Sequence, residues 1–216
     1  MTKGNDRYGQ MISEENEGDN KTEAFEIYKN RAIDYLINQY PKEVNAYEGI
    51  FNKPIWVTEW NLQISKTTGN TLLQSLFVAQ YFLELLSNPD LSVIELATYH
   101  NLGGRDYGGS VFRNNKEVIE IQSTYYPLTM LGKIFDYDIV RIEKKQHGEI
   151  FTYNCFDEYN KLIISYDIDW NSNDFKYKLE KSGDKYFSQI YGSNNLFDIP
   201  NLKGVIGIES GLKIKY

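Results

Sequence analysis

The residues best suited to chemistry stand together in Lys53-Pro-Ile-Trp-Val-Thr-Glu-Trp-Asn61, where an apolar run delivers a carboxylate, Glu59, between the indoles of Trp56 and Trp60. A positioned carboxylate can attack an electrophilic carbon, or exchange a proton with a reacting group when its environment tunes its pKa. Its place in the pattern matters. In a barrel of parallel strands the working face lies at their carboxyl ends, so a glutamate closing a buried Ile-x-Val run points into that face. The plainer alternative is a solvated loop glutamate, and the two flanking indoles favour a site. His100, in Ala97-Thr-Tyr-His-Asn-Leu102, ends a second apolar run, where it serves either a ligand or a structural hydrogen bond.

Those two runs need elements to hold them. Phe25, Tyr28, Ala32, Tyr35, Leu36 and Gln39 fall on one side of a helix that the pattern ends before Pro41, with Asn20 and Glu23 as a capping box. A short helical piece near 42–48 leads through Gly49 into a strand over 54–59. Leu72, Leu73, Leu76, Ala79, Gln80, Leu83 and Leu86 predict a helix over 71–86, buried on a wide face and lying outside a barrel. Asn88-Pro-Asp90 stops it, and Leu91 to Tyr99 reads as the next strand. Strand, helix, strand with this spacing is the βαβ unit of a parallel sheet. Gly103-Gly-Arg-Asp-Tyr-Gly-Gly109 predicts a flexible loop; it opens no helix and carries no Lys-Ser or Lys-Thr, so it is not a phosphate cradle. A last helix is expected over 122–135.

From about residue 138 the period shortens to two. Segments 149–155, 161–168, 174–180, 186–191, 203–208 and 211–216 cluster β-branched and aromatic residues between turn signals, which implies an antiparallel β-sandwich over 138–216. Residues 1–20 are polar and acidic without period and read as a tail or loop. Asp157-Glu-Tyr-Asn160 and Asp167-x-Asp169 lack the spacing of a calcium loop and read as turn and edge residues. Trp170 and the tyrosines nearby could stack on sugar, but a sheet resting on another layer needs an apolar seam, and they suit that seam better.

Composition limits the partners. A net charge of −7 over 216 residues, with a pI near 5.0, excludes an electrostatic grip on nucleic acid or on an anionic membrane. The single cysteine, Cys155, forms no intrachain disulfide and cannot assemble a zinc site, and neither metal nor cofactor is expected. No run has the length of a membrane span, and Met1-Thr-Lys-Gly-Asn-Asp6 lacks the apolar core of a signal peptide, which leaves localisation open. Tyr outnumbers Phe, 18 to 11, and rings of that kind also stack on sugars.

Pro54-Ile-Trp-Val-Thr-Glu-Trp-Asn61 resembles the seventh-strand nucleophile segment of clan A retaining glycoside hydrolases, most closely α-L-arabinofuranosidases and xylosidase-like members. The specific motif is short, but the order of elements over residues 22–216 also fits. The resemblance implies a partial (β/α)8 barrel, its last strands and helices, over residues 21–137, followed by the sandwich. It implies Glu59 as nucleophile, Trp60, Asn61, Tyr99, His100 and Asn101 as substrate contacts, and terminal arabinofuranosyl or xylosyl units of an oligo- or polysaccharide as substrate. Such hydrolysis takes a second carboxyl group, about 5–5.5 Å from the first, to protonate the leaving oxygen. In the families resembled, that acid/base follows an Asn three strand-helix units before the nucleophile. Residues 1–58 are too few for three units of roughly 30 residues each, and Asn16-Glu17 has no apolar strand leading into it. The expectation is that the acid/base is missing from this chain. A truncated reading frame, a processed fragment completed by another chain and a reduced protein resting on its sandwich all fit, and hydrolysis by the chain alone is not expected. The rival readings are an inactive carbohydrate-binding protein and an assembly partner.

Overall fold

The computed structural model describes residues 21–62, 69–104, 109–115, 118–171, 174–181, 185–192 and 201–207, with side chains between 27 and 171. The tail 1–20, the capping box, Asn16-Glu17 and the expected strand 211–216 lie outside the described residues.

Helix α1, Lys21–Asp34, does not stop before Pro41. It runs through a π-helical turn, Tyr35–Gln39, into α2, Tyr40–Phe51. Within the wide turn the Tyr40 N–H donates to the Tyr35 carbonyl, and Pro41 then falls in the first turn of α2, where its missing N–H costs nothing. Tyr28, Ala32, Tyr35 and Leu36 are buried along the expected stripe, while Gln39 is exposed. Asn52, in the left-handed region at φ 44°, ends α2 by donating its N–H to the Glu48 carbonyl.

Strand β1, Ile55–Trp60, pairs in parallel with β2, Ile94–Tyr99, and helix α3, Leu72–Ser87, lies between them in sequence. Thr71 caps α3 by accepting the Gln74 N–H. Among the described residues these two strands form a sheet of their own. Beyond β2, Gly103–Gly104 is not part of a flexible loop as expected but forms a short strand, β3, parallel to β4, Phe112–Asn115, which makes an unanticipated hairpin with β5, Val118–Ile121. The last helix is shorter than expected: α4, Tyr125–Gly132, tightens into a 3₁₀ turn at Lys133–Asp136.

The rest is an antiparallel meander in chain order: β6, Arg141–His147; β7, Ile150–Phe156; β8, Leu162–Asp169; β9, Asp174–Lys181; β10, Lys185–Gly192; β11, Asn201–Gly207. Five of these match expected segments, and β6 was not anticipated. Its sequence, Arg-Ile-Glu-Lys-Lys-Gln-His, is too polar to announce a strand. The described strands make one sheet; a second sheet facing it is not among them. Alternation sets its inner face, with Phe151, Tyr153 and Cys155 of β7 and Ile164, Tyr166 and Ile168 of β8 fully buried.

That face packs on α3, which is buried over even more of its surface than the wide face expected. Residues 71–81, 83 and 84 are all buried, because β1 and β2 cover one side and the meander the other. A helix enclosed on both sides must satisfy its polar groups from its neighbours. Gln80 Oε1 accepts the Trp170 indole N–H at 2.6 Å. Glu84, 1% exposed, accepts from the Tyr153 hydroxyl at 2.6 Å and from Lys144 Nζ at 2.9 Å. Burial and the adjoining Glu84 carboxylate push the Tyr153 phenol well above its usual range. Trp170 is therefore a seam residue. Asp157 accepts the N–H groups of Tyr159 and Lys161 and so closes the β7–β8 turn, and Asp167 accepts from Thr152 across the strands.

Candidate functional site

The geometry around Glu59 comes from two bulges. Along β1, Val57 pairs with Ala97 and Trp60 with Tyr99, so β1 carries one residue more than β2 between those pairs. Trp60 is buried against Tyr81 of α3 and Val57 is half-buried against the core, and the extra residue leaves Thr58 and Glu59 both exposed. An unbroken alternation would have put Trp60 opposite Val57. A second irregularity lies earlier in the pair, where Ile55 faces Ile94 but Trp56 faces Leu96, and there the additional residue is Glu95 of β2.

The Glu59 side chain is 65% exposed, and its Oε2 lies 3.9 Å from Nε2 of His100, itself 45% exposed. The His100 N–H donates to the Trp60 carbonyl at 2.9 Å, extending the β1–β2 ladder by one step and holding the histidine next to the glutamate. A protonated His100 stabilises the carboxylate by charge across that separation. The Glu59–His100 pair is what the fold brings together at the surface.

Trp60, Asn61 and Tyr99 lie beneath that pair. Trp60 is 3% exposed, its ring 4.4 Å from Tyr81 and 5.1 Å edge-on to Tyr99. The row continues through Tyr40, whose hydroxyl accepts from Tyr81 at 2.6 Å; burial raises the pKa of both phenols. Asn61 is 4% exposed. Its amide nitrogen donates to the carbonyls of His100 and Gly109 and to the Tyr99 hydroxyl, while its oxygen accepts from the Leu62 N–H and from Gln74. Tyr99 in turn donates to the Gly109 carbonyl at 2.6 Å. Asn101 follows a cis peptide; its carbonyl accepts the Val111 N–H and its side-chain oxygen is buried. Asn61 and Tyr99 spend their polar atoms on protein and so fix the strand ends and Gly109, whereas Trp60 Nε1 and Asn101 Oδ1 are buried with no hydrogen-bond partner among the described residues.

The supporting network reaches α3 and α4 through residues the sequence reading did not single out. Asn70 accepts the Ser123 N–H and gives its own N–H to Gln74, while Ser75 donates to the Ser123 carbonyl. The available signal was polar: Gln74, Ser75, Gln80 and Glu84 interrupt a helix that is otherwise apolar.

Trp56 is the other exposed member of the motif, at 66%. Its indole N–H points to Glu95 Oε2 at 3.4 Å. Beside it, α2 and β1 bound a groove of about 540 Å³ lined by Tyr47, Ile50, Glu43 and Thr58 among others. Among the described residues no group of three His, Cys, Asp or Glu side chains is arranged to hold a metal ion, and no helix is long and apolar enough to cross a membrane. Compared with protein-family models, curated proteins and solved structures, the chain matches none.

Proposed function

We propose that this chain is the C-terminal part of a retaining glycoside hydrolase acting on terminal arabinofuranosyl or xylosyl units of a polysaccharide, with Glu59 as the nucleophile. The observation that carries the reading is the bulge at Thr58-Glu59, which turns a carboxylate out at the carboxyl end of a parallel strand and sets it 3.9 Å from His100. Glu59 attacks the anomeric carbon, the bond to the leaving oxygen breaks, and a glycosyl ester forms that water then hydrolyses. His100 orients the carboxylate, and Asn61 and Tyr99 position the strand ends that carry both. In this reading the acid/base carboxylate comes from polypeptide outside this chain, and the chain that supplies it also covers the open side of β1 and β2.

The test exploits that missing acid. A 2,4-dinitrophenyl pentoside needs no protonation of its leaving group, so the chain alone should release one burst of dinitrophenolate and retain a pentosyl adduct on Glu59, located by peptide mass spectrometry. Azide should then discharge the adduct as a glycosyl azide of retained configuration. Glu59→Gln should show neither burst nor adduct. A wild-type chain that gives no adduct with either arabinofuranoside or xyloside sinks the proposal.

The second reading is an inactive carbohydrate-binding or assembly protein, favoured by the high exposure of Glu59. Retention on xylan or arabinan without an adduct identifies the first kind, and oligomers without retention the second.

A further inference from the structure

We infer that the groove between β1 and α2 is the seat of one extended polypeptide strand, added in parallel to the outer edge of β1 and supplied by a second chain. That a second chain stands there rests on the function proposed above; the seat and the alignment rest on the layers of the fold. Helix α3 crosses over between β1 and β2, and α2 lies beside it, joined through the Tyr40 and Tyr81 hydroxyls. The groove is lined by Val44, Tyr47 and Ile50 of α2 and by Ile55, Trp56 and Val57 of β1, with no residue of β2, so α2 overhangs the side of β1 turned away from β2. No described strand runs there. The helix layer thus reaches one strand further than the sheet.

An edge strand presents N–H and C=O groups that an extended segment can pair with, and β1 is such an edge beneath an apolar helix face. Sheets covered by helices are continued by parallel strands, which fixes the alignment. Parallel alignment brings the carboxyl end of the added strand beside Thr58 and Glu59, about 4.8 Å away, so the residues after it border the site. Other occupants fit less well. Residues 1–20 carry Asp6, Glu14, Glu15, Glu17 and Asp19 against Lys3 and Arg7, without apolar alternation, whereas the charged residue in the described lining is Glu43. Residues 208–216 follow β11 in the meander, on the opposite side of α3. A second copy pairing its own β1 about a two-fold axis would run antiparallel and bring both α2 helices over one seam.

The probe is a peptide of residues 94–101 carrying the Glu95→Gln exchange, a sequence that β1 already accepts in parallel on its other edge. Trp60 and Trp170 are buried and Trp56 is 66% exposed, so acrylamide quenching of the native chain reports the groove. The peptide should lower the quenching slope towards that of Trp56→Ala. A nitroxide on its amino end should quench Trp56 more than one on its carboxyl end, which parallel alignment carries past Trp60, roughly 15 Å away at 3.3 Å per residue. Of two versions N-methylated at alternate residues, one should lose the effect, since only every other N–H faces β1. Ile50→Glu, at an exposed position of α2, should abolish protection while keeping the urea midpoint. Quenching that the peptide leaves unchanged, or an equal effect of both methylated versions, overturns the strand seat, and stronger quenching from the carboxyl end overturns the parallel alignment. Protection that rises with protein concentration in the absence of peptide overturns the second chain in favour of a second copy. Peptide protection without a pentosyl adduct removes the nucleophile alone; an adduct without protection removes the seat alone.

Discussion

Two sheets pack against α3, and they use their side chains in opposite ways. On the antiparallel side, one bulge at Ile163 lies at the end of the β7–β8 pair, and from Phe151 to Cys155 and Ile164 to Ile168 alternation is regular, so that Phe151, Tyr153, Ile164, Tyr166 and Ile168 are wholly consumed by packing. On the parallel side, β1 and β2 each carry an extra residue, and only Trp60 is fully buried. Trp56, Thr58, Glu59, Glu95 and Leu96 remain exposed on a pair of strands of a type normally covered on both faces. Regular alternation builds stability, and its interruption releases side chains for other contacts. Local rules are broken where function or a partner makes up the loss.

The contrast can be broken by substitution. Leu76→Ala, at a fully buried position on α3, should cost about 2–5 kcal/mol, read as a lowered urea midpoint. A loss no larger than that of a surface substitution would mean that the two sides do not share this core. Lys144→Met leaves the buried Glu84 carboxylate without its ammonium; because Lys144 keeps a quarter of its side chain in water, about 2 kcal/mol is expected, below the range for fully buried pairs. Adding Glu84→Gln should restore part of it, and full additivity in that double-mutant cycle would show the pair to be uncoupled.

On the parallel side, Asn61→Ala takes a donor from the His100 carbonyl and an acceptor from the Leu62 N–H and the Gln74 amide, and should cost about 1–2 kcal/mol. Faster amide exchange should be confined to the β2–β4 connection and the start of α4. Exchange that quickens equally in β7 and β8 would show one cooperative unit in place of two. The smallest effect is one of pH. Burial pushes the Cys155 thiol from 9.0 up to about 12, so its contribution is complete below pH 9 and fades as pH rises towards 12. At pH 10 the loss should be about 1 kcal/mol, and Cys155→Ala should flatten that part of the urea-midpoint profile.

Much of the scaffold was readable in the residues. The parallel pair and its crossover helix follow from two apolar runs separated by a helical stripe, and antiparallel strands from alternation at β7 and β8, although a sandwich was expected there and the described strands form one sheet. Polar strands were not readable: β6 is held by pairing with β7, and Val118-Ile-Glu-Ile121 is too short to stand out. The π-turn escaped because proline is read as a stop when the backbone ahead of it is assumed regular. At the site, Glu59 and His100 stood out by type and position. What spacing could not tell is that Trp60 turns inward while Trp56 stays out, since a bulge depends on pairing between distant residues.

The double enclosure of α3 also restricts how this protein can vary. Each residue added to or removed from a helix rotates everything beyond it by about 100°. An insertion in the middle of α3 would swing Tyr81 away from Trp60 and, by the same turn, Gln80 and Glu84 away from Trp170 and Tyr153. Neither layer could then be saved by shifting the other. Between Thr71 and Asn88, therefore, divergence should proceed by exchange of side chains at constant length.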